Sequence, residues 1–425
     1  MDTPFFKIDK RLLDMATRAH EAILPVFERL EKIIEYNQQK VLSAFIEHRV
    51  SESHFTPTTG YGYGDRGRDT LDAVFAKIMG APDALVRHSI VSGTHAITIA
   101  LFGVLRPGDT LLSVMGNPYD TLNSVIGTDK KGDTGSLKDF NINYRQVEPD
   151  VNGRPDFKAI SAALSELRPK MVHIQRSRGY DIRPSLDINT IGKIVSLVRR
   201  CSPNSIVFVD NCYGEFVETR EPSEVGADLI AGSLIKNPGG GIAENGGYIC
   251  GRADLITQCA NRMTTPGTGR EVGASLGHNR SLFMGLFNAP HVVGEALKTA
   301  IFCASLFSML GFEVTPIADE KRTDIIQAVK LRTPQALTAF CQGMQRGAPV
   351  DAFVCPEPWE MPGYDCPVIM AAGAFTMGAS IELSADAPLR QPYAAYMQGG
   401  LNYHSGKIGI LFAAQSMLEQ GVLKL

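Results

Sequence analysis

Five short apolar runs, set between helix-length segments, constrain this chain more than any other feature. They are "LVRHSIV" (85–91), "DTLLSVM" (109–115), "KMVHIQ" (170–175), "SIVFVDN" (205–211) and "ADLIAGSLI" (227–235). Strands this continuously apolar have both faces covered, which predicts a mainly parallel sheet with helices on each side. "DTLDAVFAKIMG", "HAITIALFGVL" and "INTIGKIVSLVRRC" carry the three- and four-residue spacing of helices. Residues 8–50 show the same spacing, with Leu12, Ala16, Ala19, Ile23 and Leu30 on one stripe. After about 285 the texture becomes a long helical stretch, then a smaller mixed region. The expected organisation is an N-terminal helical arm (1–58), a large α/β domain (59–288) and a smaller C-terminal α+β domain (289–425).

At 425 residues, 44% apolar and 20% charged, the chain is long enough for several such units and ordinary in composition. A net charge of −3 offers no polybasic footprint, so nucleic acid is not an expected partner. "MDTPFFKIDKRLL" does not read as a signal peptide, and "PVIMAAGAFTMGA" (367–379) is too short and glycine-broken to span a bilayer. A cytoplasmic protein without membrane partners is the expectation. The eight cysteines, at 201, 212, 250, 259, 303, 341, 355 and 366, form no CxxC pair. They read as reduced thiols, and no metal site is expected.

In open α/β sheets, ligands collect beyond the carboxyl ends of the strands. The segments that leave the strands here carry distinctive residues. Ser92-Gly93-Thr94 opens a helix, where backbone N–H groups and the helix dipole favour an anion such as a phosphate. The same residues also make a good N-cap. Tyr119, in "GNPYD", is either a ring stacker or a half-buried packing residue. Asp210 closes the most apolar strand, so its carboxylate needs a partner. Lys236 follows another strand, with Ser233 before it and three glycines (239–241) behind, an arrangement read as room for a bulky cofactor and substrate. A desolvated lysine is a nucleophile that forms Schiff bases. An anion site, a ring stacker, an acid for a ring nitrogen and an amine for an aldehyde together fit pyridoxal 5′-phosphate.

The run "IVSGTHAI … NPYDTL … VFVDNCYGE … AGSLIKNPGGG" resembles the fold-type-I pyridoxal-phosphate enzymes. Within them it is most similar to the cystathionine/methionine lyase group, in particular the methionine γ-lyase-like branch called aluminium resistance proteins. The resemblance covers residues from about 60 to 290 and extends into "SIELSADAPLRQPYAAYMQGGLNY". It implies the aspartate-aminotransferase fold type I and a homodimer or homotetramer whose active sites are shared between subunits. Lys236 is then the Schiff-base lysine, Asp210 the partner of the ring nitrogen, and Tyr119 the stacker. Gly93 and Thr94, with Ser92 and Ser233, take the phosphate. Tyr63 and Arg66, in "YGYGDRGRDTL", reach the phosphate of a neighbouring subunit; Asp65 stands where the family's arginine is usual, which leaves Arg68 as the alternative. Arg390 holds the substrate carboxylate, and Arg176 or Arg178 touches ring or substrate. Ile235 replaces a family threonine, and Thr121 a cysteine common in methionine γ-lyases.

The implied reaction is β- or γ-elimination from a sulfur-containing amino acid, giving keto acid, ammonia and thiol. Lys236 serves as base there if desolvation lowers its pKa. An aminotransferase, an aldolase-type lyase, or a cofactor-binding stress-related protein without turnover are the alternative readings. His95 is a ring contact or, as a first-turn residue, a capping one.

Overall fold

The apolar runs become the centre of a sheet. In the computed structural model, which describes residues 3–128, 134–361, 364 and 366–425, the chain divides into two units. One is Asn37–Asn288; the other joins Met1–Tyr36 to Ala289–Leu425.

The larger unit is built on β1 (Asp83–Arg87), β2 (Thr110–Ser113), β3 (Asn143–Gln146), β4 (Met171–Gln175), β5 (Ile206–Asp210), β6 (Leu229–Ser233) and β7 (Gly247–Gly251). Among the described residues they form one sheet in the order β1-β7-β6-β5-β4-β2-β3. Neighbours from β3 to β6 are parallel. β7 runs antiparallel to both β6 and β1. β1 therefore points the same way as β4, β5 and β6, and its carboxyl end lies at theirs.

Every residue of β4, β5 and β6 is buried, as continuous apolar strands require. The core joins Leu85, Phe208, Leu229 and Ile249 on the sheet to Ile97, Leu101 and Ile256 on helices. Each such side chain contributes about 1.5–3 kcal/mol by leaving water. The helices of this part of the sequence include α1 (Lys10–Glu47), α2 (Arg66–Met79), α3 (Gly93–Val104), α4 (Asp120–Ile126), α5 (Phe157–Leu167), α6 (Ile188–Cys201) and α7 (Ala253–Met263). Asp65, Ser92, Asp156 and Asp187 each cap a helix by accepting a backbone N–H from its first turn.

The second unit carries β8 (Glu313–Thr315), β9 (Gln327–Lys330), β10 (Val368–Ala372), β11 (Ser384–Pro388) and β12 (Ala394–Gln398), an antiparallel sheet in the order β10-β11-β12-β9-β8. The amino-terminal half of α1 packs here. Leu12, Ala16, Ala19 and Ile23 are buried, and His20 Nδ1 lies 2.8 Å from the Tyr403 hydroxyl. One helix was not anticipated as a membrane-length segment. Asn279–Met309 is long and apolar enough to cross a bilayer, yet 78% of its most apolar window is buried within the protein. It reads as a core helix.

Candidate active site

Because β1, β2, β4, β5 and β6 run in one direction, the segments after them emerge at one end of the sheet. Ser92, Tyr119, Asp210 and Lys236 all sit on such segments. Gly93 shows how tightly two of them meet. A Cβ at Gly93 would lie 3.1 Å from Cys212 Sγ and 3.4 Å from Ser233 Cβ. The first turn of α3 thus abuts both the loop after β5 and the end of β6. Ser92 Oγ caps α3 by accepting from His95 N at 3.0 Å. Thr94 Oγ1 is 3.0 Å from Thr121 Oγ1, which ties the same turn to α4. Ser233 is buried, and its Oγ has no hydrogen-bond partner among the described residues. An orphaned hydroxyl beside a helix N-terminus and a required glycine suits a phosphate oxygen.

Lys236 is partly buried and faces Tyr213, its Nζ 4.0 Å from the ring centroid. The expectation of a lowered lysine pKa is corrected here. Burial does pull it down, but Cys212, Tyr213 and Asp210 push it up by more, leaving the amine above the ordinary lysine value. In the cofactor-free protein the group is an ammonium. The glycines behind it also serve a different end from the one expected. A Cβ at Gly239 would stand 1.6 Å from the Leu234 carbonyl oxygen, and Gly240 and Gly241 have φ of 54° and 69°. They close a tight turn against the backbone.

Asp210 is buried, and its Oδ1 accepts from Cys212 N at 3.1 Å. Beside it on β4, His173 is buried with Nε2 unpartnered among the described residues. Burial lowers its pKa to about 4, against a smaller upward pull from Asp210, so the imidazole is neutral. Gln175 pairs with Asp210 across the sheet, and its Oε1 accepts from Tyr119 N at 2.6 Å. Tyr119 is half-buried and meets Tyr180 edge-on at 5.6 Å between centroids.

Several candidates resolve on burial. Arg176 is fully buried and committed to Asn211 Oδ1 (2.8 Å), Glu218 (3.1 Å) and Glu221 (3.4 Å), so it holds the loop after β5. Arg178 is buried too. Asp65, at the position usual for the family's arginine, is the buried cap of α2 and accepts from Thr58 and Asn279 as well. Arg68 is buried and bonded to the Gly62 and Gly273 carbonyls and to Asp69. Arg66 is exposed, as is Tyr63 stacked on Tyr61. Arg390 is exposed on the turn after β11, in the second unit. His95 Nδ1 accepts from Val91 N at 3.2 Å, the capping role.

Sequence reading overlooked Tyr213, Cys212, His173 and Glu215. A polar residue interrupting an apolar strand was the available signal for His173. Glu215 is fully buried, accepts from the Tyr248 hydroxyl at 2.7 Å, and has its pKa pushed up to about 8 by burial. Among the described residues, no group of three or more His, Cys, Asp or Glu is placed to hold a metal ion.

The model of the methionine gamma-lyase family matches residues 12–418. The chain belongs to that family. As a methionine gamma-lyase family member it is a lyase with the fold expected from its sequence. It is 51% identical over 401 residues to the Bacillus subtilis (strain 168) protein YnbB, described as uncharacterized, spanning 94% of this chain and 95% of that one. The crystal structure of a carbon-sulfur lyase involved in aluminum resistance from Clostridium novyi NT is 52% identical, covers 96% of each chain and superposes with a TM-score of 0.92. The pyridoxal-5′-phosphate-dependent protein YhfS from Escherichia coli, at 18% identity, 92% and 97% coverage and a TM-score of 0.61, shares the fold.

Proposed function

We propose that the protein is a carbon–sulfur lyase that eliminates a thiol from the β- or γ-carbon of a sulfur-containing amino acid, with keto acid and ammonia as co-products. The observation that carries this reading is the meeting of Gly93, Cys212 and the orphaned Oγ of Ser233, which lies three residues before Lys236, with Asp210 on the adjacent strand end. When bound, pyridoxal phosphate supplies an electron sink for the carbanion left by Cα deprotonation.

The chain's own residues do the rest. The first-turn N–H groups of α3 and the Ser233 hydroxyl would hold the phosphate. The Asp210 carboxylate would keep a proton on the ring nitrogen, with His173 beside it as a neutral group. Lys236 would hold the cofactor through its amine and is the group placed to move the Cα proton. Tyr119 would stack on the ring, its hydroxyl serving the departing sulfur. Tyr63 and Arg66 act in a neighbouring subunit, making the working form at least a dimer. The exposed Leu42 and Ile46 of α1 offer apolar surface to such a partner. A cytoplasmic setting goes with an amino-acid substrate and free thiols at all eight cysteines.

Purified protein loaded with cofactor and offered cystathionine, methionine, cysteine and threonine tests the reading. Keto acid and thiol in equal amounts from a sulfur substrate support it. Aldehyde from threonine, or amino-group transfer without thiol release, points to the aldolase or aminotransferase alternative.

A further inference from the structure

The loop that leaves β5 contains a residue in an unfavourable backbone conformation. Tyr213 has φ of 71°, in the left-handed region that residues with a side chain rarely adopt. Such conformations persist where the surroundings over-determine them, and they cluster at functional sites. Here the surroundings are explicit. The next residue, Gly214, packs so closely on Arg176 that a Cβ there would lie 2.5 Å from its Cδ. Arg176 is itself fixed by Asn211, Glu218 and Glu221, and Gly214 N donates to the Asn211 carbonyl at 2.9 Å. A glycine at 213 would relieve the backbone. An aromatic ring stands there instead, with its face toward Lys236 Nζ at 4.0 Å. A ring face at that distance attracts an ammonium, and more so where water is excluded.

We propose that Tyr213 is a positioning residue for Lys236, its ring face being the seat the amine takes whenever it is protonated and not bonded to the cofactor. The inference rests on Lys236 being the active-site amine. Asp210 acts on the same amine from the base of the loop, so the ring adds direction to a charge the carboxylate already favours, while burial keeps the neighbouring Cys212 thiol protonated.

Reaction of cofactor-stripped protein with trinitrobenzenesulfonate at fixed pH, read by mass spectrometry of the Lys236 peptide, tests this. The amine reacts unprotonated and unseated, so weakening the seat speeds labelling. Position 213 is occupied by phenylalanine, then by phenylalanines of increasing ring fluorination, which drains the ring face at constant shape. The labelling rate rises stepwise along the series, by roughly 2- to 30-fold at its end. A flat series overturns the proposal. Tyr213→Leu provides a second readout in the loaded enzyme. Its kcat keeps to lower pH on the acid side, because the base loses its proton more readily, and Tyr213→Phe, which keeps the ring face but loses the hydroxyl that also bonds Lys236, restores most of the original limb; an unmoved limb contradicts the seat. The labelling is independent of turnover, so absence of lyase activity toward any sulfur amino acid removes the proposed function and leaves this result readable.

Discussion

At the scale of single residues, charge placement decides what Lys236 does. An ammonium must lose its proton before it attacks an aldehyde, and the acidic neighbours of Lys236 hold that proton on. Reassociation of pyridoxal phosphate with stripped protein is therefore expected to accelerate as pH rises from 6 to 9, followed by the growth of visible absorbance. Lys236→Ala is expected to lose that absorbance and about 10²–10⁴ of its turnover. Glu215 makes a separate, structural prediction. Its folded pKa of about 8 lies above the ordinary 4.5, so the stability it contributes is complete below 4.5 and lost as pH climbs through 8. Glu215→Gln cannot titrate and keeps the shape. Unfolding free energies from urea titrations should fall less between pH 5 and pH 8 in Glu215→Gln than in the parent, by on the order of a few kcal/mol. Equal falls would mean that Glu215 is not held neutral. Asp210 and Lys236 were legible in the sequence because a lone charge at the end of an apolar run needs a reason. Tyr213 was not, because its value lies in a backbone angle that no residue pattern announces.

At the scale of elements, the strands that position the site were the readable ones. β2, β4, β5 and β6 are buried on both faces and carry the apolar signal. β3, "NYRQ", is an exposed edge strand, and β7, "GYICG", is short and glycine-bounded, so neither stood out. Two predictions belong here. Ser233→Ala removes the orphaned hydroxyl beside α3 and is expected to weaken cofactor binding about 10- to 100-fold, measured by equilibrium dialysis, as loss of a hydrogen bond to a charged group does. On the same strand, a Cβ at Gly232 would meet Glu215 Oε1 and the Tyr248 ring at 2.6 Å. Gly232→Ala should cost about 1–3 kcal/mol in denaturant unfolding, as overpacking does.

At the scale of the whole molecule, the sequence resemblance supplied the family, while the geometry separates neighbours such as Arg66 and Arg68 by exposure. Arg66 is exposed, and Arg68 is buried against two carbonyls. The proposed sharing of sites between subunits leads to a mixing experiment. Unfolding and refolding Lys236→Ala together with Arg66→Ala, each nearly inactive, should restore activity to about a quarter of the sites, since half the dimers are mixed and each mixed dimer holds one intact site. No restoration would mean that Arg66 serves its own subunit.

The reversed strand β7 has a consequence for how such a protein diversifies. Ser233 and Gly247 face each other across the β6–β7 pair, so residues 234–246 leave the sheet and return to almost the same place. Their length spans no distance. Closing a longer excursion costs only about 0.6 kcal/mol per doubling. An insertion beside the exposed Glu244 would enlarge this excursion while both its anchors stay put. The exposed tip of the excursion is in this way the part that can lengthen, while its buried base, Asn237 to Gly240, stays packed as it is.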